Sequence, residues 1–167
     1  MTDGGNDGLL YYEDLPVGRR KVHGSYTITP EEARKFAETF DPRPVALDPG
    51  AAREAGYDDT VVSPWLVAAV CMRMLAAGPL AEHAMCGAIG VDDLRWHEVV
   101  SPGATVTTSS TVTEKRVSES RPEMGHLRRS VTGVVGDDPD ADPRAVSWVG
   151  LELIERRPDD GTSGRPE

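Results

Sequence analysis

Cysteine is scarce in this chain, with only Cys71 and Cys86 among its 167 residues. Two cysteines this far apart in sequence cannot form a disulfide framework or a zinc knuckle. The four histidines show no spacing, to one another or to aspartate, that is typical of a metal site or a catalytic triad. A Gly-rich phosphate loop is missing too, so the sequence predicts no metal and no other cofactor.

Basic residues are also in short supply: 18 Lys and Arg stand against 28 Asp and Glu, which gives a net charge of −10. The acidity lies mainly at the two ends of the chain and in the segment 136–144, all of which we expect to be solvated. Because no basic stripe is present to neutralise phosphates, nucleic-acid binding is not expected.

Long apolar runs are absent as well, since no stretch reaches the roughly 18–20 apolar residues that cross a bilayer. The opening residues, MTDGGNDGLL, have no basic region followed by an apolar run, so they do not predict a signal peptide. We therefore expect a cytoplasmic protein with no membrane contact.

A chain of this length has room for a single domain with a hydrophobic core. Its two ends, residues 1–8 and 158–167, are rich in Gly, Asp, Pro and Ser and are predicted to be disordered tails. The folded domain is therefore expected to span residues 9–157.

Two helices have clear boundaries in the sequence. Residues 29–32 have the pattern of a capping box with Pro at the first helical position, and Asp41-Pro42 ends this helix near Phe40. Its predicted apolar face carries Ala33, Phe36, Ala37 and Phe40. The second helix, Pro64–Ala77, begins after the N-cap residue Ser63 and has a single charged side chain, so we expect protein to surround it.

The remaining segments favour β-strands. Residues 21–28 alternate as in a half-buried strand, with Val22, Tyr26 and Ile28 on one face and His23 on the other. Four further segments are rich in β-branched residues or alternate, and turn signals separate them: 87–97, 105–117, 126–135 and 145–156. A strand, then helices, then consecutive antiparallel strands predict an α+β fold in which a curled sheet holds the apolar helix.

Four local strings, taken in order, resemble the MaoC-like hydratase/dehydratase family, whose members have the hot-dog fold. Residues 12–18 (YEDLPVG) resemble the opening segment of that family, and residues 40–49 (FDPRPVALDP) resemble its catalytic loop. Ser63-Pro64-Trp65 stands where its central helix begins, and residues 91–103 resemble a strand and the turn after it. The likeness covers residues 9–157 and implies a single hot-dog domain, with an antiparallel sheet wrapped around a central buried helix.

This resemblance implies the reversible addition of water across the α,β double bond of an acyl thioester carried by coenzyme A or by a carrier protein. The chemistry needs an acid/base group, hydrogen-bond donors for the thioester oxygen as it becomes enolate-like, and a tunnel for the acyl chain. The resemblance also implies a homodimer, or a heterodimer with a homologous MaoC-like subunit, because hot-dog protomers join edge to edge.

Asp41 falls on the catalytic aspartate of the family and is the expected acid/base. Ala46 stands where the family has its histidine, and Pro64 stands where a glycine N–H holds the thioester oxygen. Proline has no N–H to donate. Loss of an acid/base partner costs about 10²–10⁴ in rate, and loss of an oxyanion donor costs about 10²–10³. Ordinary enoyl-thioester hydration is therefore expected to be slow.

The neighbouring residues are candidates for substrate binding: Arg43, Val45, Ala46, Ser63, Pro64 and Trp65. Arg43 can bind a carboxylate or a coenzyme phosphate, or it can be a solvated loop residue. Ser63 can cap the helix or replace the lost oxyanion donor, and Trp65 can line a pocket or fill the core. His97, at a strand end, is a polar rim residue or a replacement base. Apolar neighbours such as Val45 and Trp65 are expected to raise the pKa of Asp41.

Three functions remain open on this sequence. The first is a repurposed enzyme in which Asp41 acts on an acyl thioester or a specialised metabolite by dehydration, isomerisation or cyclisation. The second is a non-catalytic subunit that shapes the acyl tunnel of a heteromeric hydratase, and the third is a binding protein without activity. The helix Pro64–Ala77 carries no Asp or Glu, which argues against the related thioesterases and fatty-acid dehydratases.

Overall fold

The computed structural model describes residues 8–158, so the predicted tails lie almost entirely outside the described residues. A short 3-10 helix at Tyr12–Asp14 precedes the first strand. The helices and strands then follow in this order: β1 (Arg20–Thr27), α1 (Pro30–Phe40), α2 (Pro44–Leu47), α3 (Pro49–Glu54), α4 (Pro64–Ala77), α5 (Pro79–Glu82), β2 (Met85–Trp96), β3 (Thr105–Val117), β4 (Met124–Val135) and β5 (Arg144–Glu155).

The strands of the described part form one antiparallel sheet of five, in the order β1-β3-β4-β5-β2. α4 packs across one face of this sheet and contacts β1, β3, β4 and β5. The predicted α+β fold, an antiparallel sheet around a central helix, is confirmed. This order leaves β1 and β2 at the edges of the sheet.

α1 begins and ends where its sequence predicts. Thr29 accepts a hydrogen bond from the Glu32 N–H, and the Glu32 carboxylate accepts one from the Thr29 N–H, so the capping box is confirmed. The predicted apolar face is wrong at Phe40, which is 72% exposed. Its ring lies against Phe36, 5.2 Å away between centroids, and not against the core.

α4 has its predicted bounds but is not surrounded on every side. Its buried residues lie toward the sheet: Val67, Val70, Cys71, Met74 and Leu75. Trp65 and Met72 are 56% and 43% exposed. With α5 included, Pro64–Glu82 is long and apolar enough to cross a membrane, judged by length and composition alone. The expectation that no stretch of the chain reaches this length is therefore wrong. Core helices of soluble proteins share this property, and here one face of α4 packs on the sheet.

β1 departs from its predicted alternation at a β-bulge. Its pairing with β3 shifts between Val22 and Gly24, and Gly24 has a φ of +106°, in the region that favours glycine. Val22 is 46% exposed as a result. The His23 ring turns inward, and its Nε2 lies 2.8 Å from Ser110 Oγ. The predicted faces of Val22 and His23 are therefore wrong, because an inserted residue shifts which face its neighbours occupy.

A buried ion pair interrupts the apolar inner face of the sheet. Arg129 on β4 and Glu152 on β5 are 4% and 5% exposed. Arg129 Nε and Nη2 donate to the two Glu152 carboxylate oxygens at 2.7 and 3.1 Å. Arg129 Nη2 also lies 3.4 Å from His83 Nδ1. Burial, with the nearby Arg129 charge, lowers the pKa of His23 and of His83 to about 4, so both rings are neutral at pH 7.

Glu152→Gln should lower the free energy of unfolding by about 3–5 kcal/mol, because Arg129 is left as a buried charge without its counter-ion. Denaturant unfolding measures this change. The control is Glu114→Gln, because Glu114 is 64% exposed and 3.8 Å from Arg128; it should cost no more than about 1 kcal/mol. Equal decreases in the free energy of unfolding of the two variants would show that the buried Arg129–Glu152 pair stabilises the fold no more than an exposed pair does.

Candidate active site

The loop between α1 and α2 holds Asp41 and Arg43 side by side. The Asp41 N–H donates to the Ala37 carbonyl at 3.0 Å, and the Arg43 N–H donates to the Asp41 carbonyl at 2.7 Å. Pro42 and Pro44 flank Arg43 and restrict the backbone on both sides. Asp41 is only 9% exposed in this position. The loop therefore presents a carboxylate and a guanidinium as one unit.

Asp41 and Arg43 form a bidentate ion pair. Arg43 Nε donates to Asp41 Oδ1 at 2.6 Å, and Nη2 donates to Oδ2 at 2.7 Å. These hydrogen bonds lower the pKa of the Asp41 carboxyl and outweigh burial, which acts in the opposite direction. The predicted rise in this pKa is therefore wrong, because a guanidinium in contact with both oxygens has a larger effect than apolar neighbours. Asp41 is ionised at neutral pH.

Ser63 lies beside Asp41 but does not cap α4 with its side chain. It is fully buried, and its hydroxyl accepts no N–H of the first turn. This hydroxyl makes no hydrogen bond of normal geometry within residues 8–158, yet it is close enough to Asp41 to lower the pKa of that carboxyl further. The Ser63 carbonyl accepts from the N–H groups of Leu66 and Val67, at 2.9 and 3.2 Å. The predicted capping role of the Ser63 hydroxyl is therefore wrong.

Two tryptophans fix the first turn of α4 against the end of β2. The rings of Trp65 and Trp96 meet edge to face, 4.8 Å apart between centroids. Trp96 Nε1 donates to the Pro64 carbonyl at 2.8 Å. These contacts place the end of β2 beside the start of α4, where the two form one wall of a cavity.

A cavity of about 220 Å³ opens between the start of α4, the α1–α2 loop and the segment after β2. Most of its walls are apolar, and four polar side chains also line it: Arg43, Tyr57, His97 and Glu98. The apolar lining residues are Val45, Val61, Val62, Pro64, Val67, Trp96, Val99 and Val100. An apolar hollow with a few polar groups is typical of a site that binds a small organic ligand.

Three of the predicted site residues line this cavity: Arg43, Val45 and Pro64. Ala46 is 6% exposed and faces another hollow, beside Pro49. Asp41 and Trp65 do not line the cavity, but each contacts a residue that does, namely Arg43 and Trp96. The structure thus gathers the predicted loop and helix start around one hollow, and the binding roles of these residues remain predictions.

Tyr57 and Glu98 are lining residues that the sequence does not single out. Tyr57 follows α3 and Glu98 follows β2, and neither lies in a motif. The sequence allows His97 a rim or a catalytic role, and the structure places it on the cavity wall, with its Nε2 2.8 Å from Ser147 Oγ. Within residues 8–158, no group of three or more His, Cys, Asp or Glu is arranged to hold a metal ion.

Comparison with known proteins agrees with this geometry. A sheet wrapped around a helix, with a cavity at the helix start, defines the class of hot-dog proteins. Residues 15–134 match the family model described as the MaoC like domain. The chain therefore belongs to the MaoC-like dehydratase family, as its local strings predict.

Individual relatives extend this result. The MaoC-like dehydratase from Rhodospirillum rubrum superposes with a TM-score of 0.77 at 28% identity, over 89% of this chain and 99% of that one. A mesaconyl-CoA hydratase from Haloarcula hispanica is 27% identical over 129 residues, which are 77% of this chain and 35% of the relative. The chain thus spans about a third of the length of that relative. The fold is shared with the ChsH1-ChsH2 complex from Mycobacterium tuberculosis, which is 22% identical and superposes with a TM-score of 0.59. This match covers 84% of this chain and 98% of that one.

Arg43→Met should raise the pKa of the Asp41 carboxyl, because the carboxylate loses the charge in contact with it. In the wild type the pKa of folded Asp41 lies below that of unfolded Asp, about 3.9, so ionised Asp41 stabilises the fold when the pH is above about 3.9. This stabilisation is lost as the pH falls through the pKa of folded Asp41. The variant should therefore lose less stability than the wild type on acidification.

The measurement is an NMR titration of ¹³C-labelled aspartate carboxyl groups, together with unfolding at several pH values. Arg53→Met, which removes an exposed arginine from α3, should leave the Asp41 titration unchanged. An Asp41 resonance that titrates identically in wild type and Arg43→Met would contradict the ion pair.

Proposed function

We propose that this protein is a hydro-lyase that adds water to, or removes it from, an acyl thioester, with Asp41 as the acid/base. The observation that supports this most is the cavity that the family's catalytic loop and the start of α4 form together. Asp41 does not line it but is bound to Arg43, which does. Membership of the MaoC-like family supports the same class of reaction. The chemistry needs proton transfer alone, so the proposal includes no cofactor.

Dehydration begins with the Asp41 carboxylate as base. It accepts the α-proton of a 3-hydroxyacyl thioester, and the C–H electron pair moves toward the thioester oxygen to give an enolate. The enolate then collapses, the bond from the β-carbon to the hydroxyl breaks, and Asp41 returns its proton to the departing oxygen as water. The products are the α,β-unsaturated thioester and water, and hydration is the reverse sequence.

The absence of the family histidine sets the geometry of this mechanism. Ala46 cannot take a proton, and it faces away from the cavity. One carboxyl must therefore serve both the α-carbon and the β-oxygen, so both must lie on the same face of the substrate. The low pKa of Asp41 keeps it ionised for the first step but also makes it a weak base. Strong stabilisation of the enolate oxygen is then required.

The size of the cavity favours a short acyl group. Its volume of about 220 Å³ and its valine-rich walls suit a chain of a few carbons. The relative from Haloarcula hispanica is named a mesaconyl-CoA hydratase, which supports coenzyme A as the carrier. A cytoplasmic location, which we also propose, agrees with two cysteines that are not joined in a disulfide.

A second candidate function is the non-catalytic subunit of a heteromeric hydratase. The observation in its favour is that both oxygens of Asp41 are already engaged by Arg43. A residue held in this way can serve as a structural element of the loop. Retention of the Asp41 carboxylate beside a formed cavity supports the enzyme more strongly.

We also propose that the protein works as a dimer, with itself or with a homologous subunit. β2 is a 12-residue edge strand, and its Ile89 and Val91 are 59% and 57% exposed. An exposed apolar edge is a liability that a second protomer removes by pairing. Trp65 and Met72 of α4 are exposed as well.

Light scattering should show a dimer at micromolar concentration. Val91→Asp should weaken it, because the change puts a charge where two β2 edges would pair. The matched control is Val17→Asp, since Val17 is 54% exposed in the loop before β1. A stable monomer in the purified wild type, with no homologous subunit able to join it, would contradict the edge pairing.

Asp41→Asn tests the enzyme directly. Turnover of crotonyl-CoA or mesaconyl-CoA by the wild type is expected to lie at or below the low end of the usual range, about 1 per second. The variant should fold normally and lose a further ~10²-fold, because the amide cannot accept a proton. Asp58→Asn, an exposed position after α3, should change turnover by less than about twofold. Full turnover in a folded Asp41→Asn variant would favour the subunit role.

A further inference from the structure

The start of α4 offers few donors for the proposed reaction. Pro64 occupies the first helical position and has no N–H. The N–H of Leu66 is already bound to the Ser63 carbonyl at 2.9 Å, so Trp65 has the first N–H of the helix that no backbone hydrogen bond engages within residues 8–158. The Ser63 hydroxyl is fully buried beside the Asp41 carboxylate, a charged acceptor that competes with a thioester oxygen for it. The developing charge on a thioester oxygen therefore needs a stronger donor than one N–H.

Arg43 has donors left over on the cavity wall. Its Nε and Nη2 donate to Asp41, and no hydrogen bond within residues 8–158 engages Nη1. The side chain is 54% exposed and lines the same hollow as Pro64. The contact with Asp41 also raises the pKa of Arg43, so the guanidinium stays charged. Its orientation is fixed by two short hydrogen bonds before any ligand arrives.

We propose that Arg43 donates a hydrogen bond from Nη1 to the thioester oxygen of the substrate and replaces the backbone N–H that Pro64 lacks. This assignment rests on the proposed function, because it names the oxyanion donor of that same reaction. Asp41 then has two roles: it takes the α-proton, and it holds the guanidinium in place until that moment.

The charges of the site agree with this arrangement. Before reaction the Asp41–Arg43 pair is neutral, which suits the uncharged thioester. When Asp41 accepts the α-proton, the negative charge passes from the Asp41 carboxylate to the enolate oxygen. The positive guanidinium lies between these two groups. The interaction is therefore stronger in the transition state than in the ground state, as catalysis requires. Glu98 also lines the cavity and disfavours an anion there, so a neutral donor such as the Tyr57 hydroxyl would be a weaker substitute.

The experiment measures how strongly the protein polarises a bound thioester. Butyryl-CoA labelled with ¹³C at the thioester carbon is the probe, since a saturated chain cannot be hydrated. Infrared difference spectra should show the C=O stretch of the bound probe at lower frequency than in water. Arg43→Met should bind butyryl-CoA but lose most of that shift, Arg43→Lys should keep part of it, and Arg53→Met should keep all of it.

A second substitution, at Pro64, distinguishes an Arg43 that donates to the thioester oxygen from an Arg43 that only supports the loop. Pro64→Gly restores a backbone N–H at the first position of α4, so Arg43→Met/Pro64→Gly should recover a large part of the carbonyl shift. In turnover of crotonyl-CoA, Arg43→Met should lower kcat by about 10²–10³ and change KM much less.

The possible failures can be told apart. Wild type that binds no butyryl-CoA would contradict the proposed function and this assignment with it. Wild type and Arg43→Met with equal carbonyl shifts would contradict only the assignment of Arg43. A lost shift that Pro64→Gly does not restore, in a variant that still folds and binds, would also overturn the idea that Arg43 replaces that N–H.

Discussion

The apolar surface of α4 is the constraint on which the rest of the structure depends. A 14-residue helix with almost no charge is stable only where a sheet covers it, and each large apolar side chain that is fully buried contributes about 1.5–3 kcal/mol. β1, β3, β4 and β5 pack against α4 for this reason. Its N-terminus then meets the loop after α1, and Trp96 holds it there through the Pro64 carbonyl. The position of the cavity follows from how α4 is buried.

The Asp41–Arg43 pair is the centre of the proposed site. A lone aspartate in an apolar hollow would have a raised pKa and would be partly protonated. The guanidinium keeps Asp41 ionised instead, at the expense of its strength as a base. A lowered pKa that weakens the base is useful for catalysis only if the same guanidinium also stabilises the enolate that proton transfer produces. In the proposed function, the departures from the family motif at Ala46 and Pro64 and the Asp41–Arg43 ion pair belong to one altered mechanism.

Much of the fold could be predicted from the sequence because it depends on local rules. Caps and prolines fix the bounds of α1 and α4, and alternation indicates the strands. Features that depend on contacts between distant residues could not be found in this way. A bulge at Gly24 turns His23 inward, and the Arg129–Glu152 pair occupies positions that alternation would fill with apolar side chains. The family motif located Asp41 in the sequence, but its apolar neighbours predicted the wrong direction for its pKa shift. The contact that lowers this pKa comes from Arg43, two residues away in a proline-flanked loop, and only the structure shows that the two side chains meet.

A crystal structure with bound butyryl-CoA would show where the thioester lies relative to both partners of the ion pair. We expect the thioester oxygen to lie within hydrogen-bonding distance of Arg43 Nη1, about 2.7–3.2 Å. The α-carbon should face the Asp41 carboxylate, with the acyl chain among the valines of the cavity. A thioester bound in another hollow, or one whose oxygen points away from Arg43, would contradict this expectation.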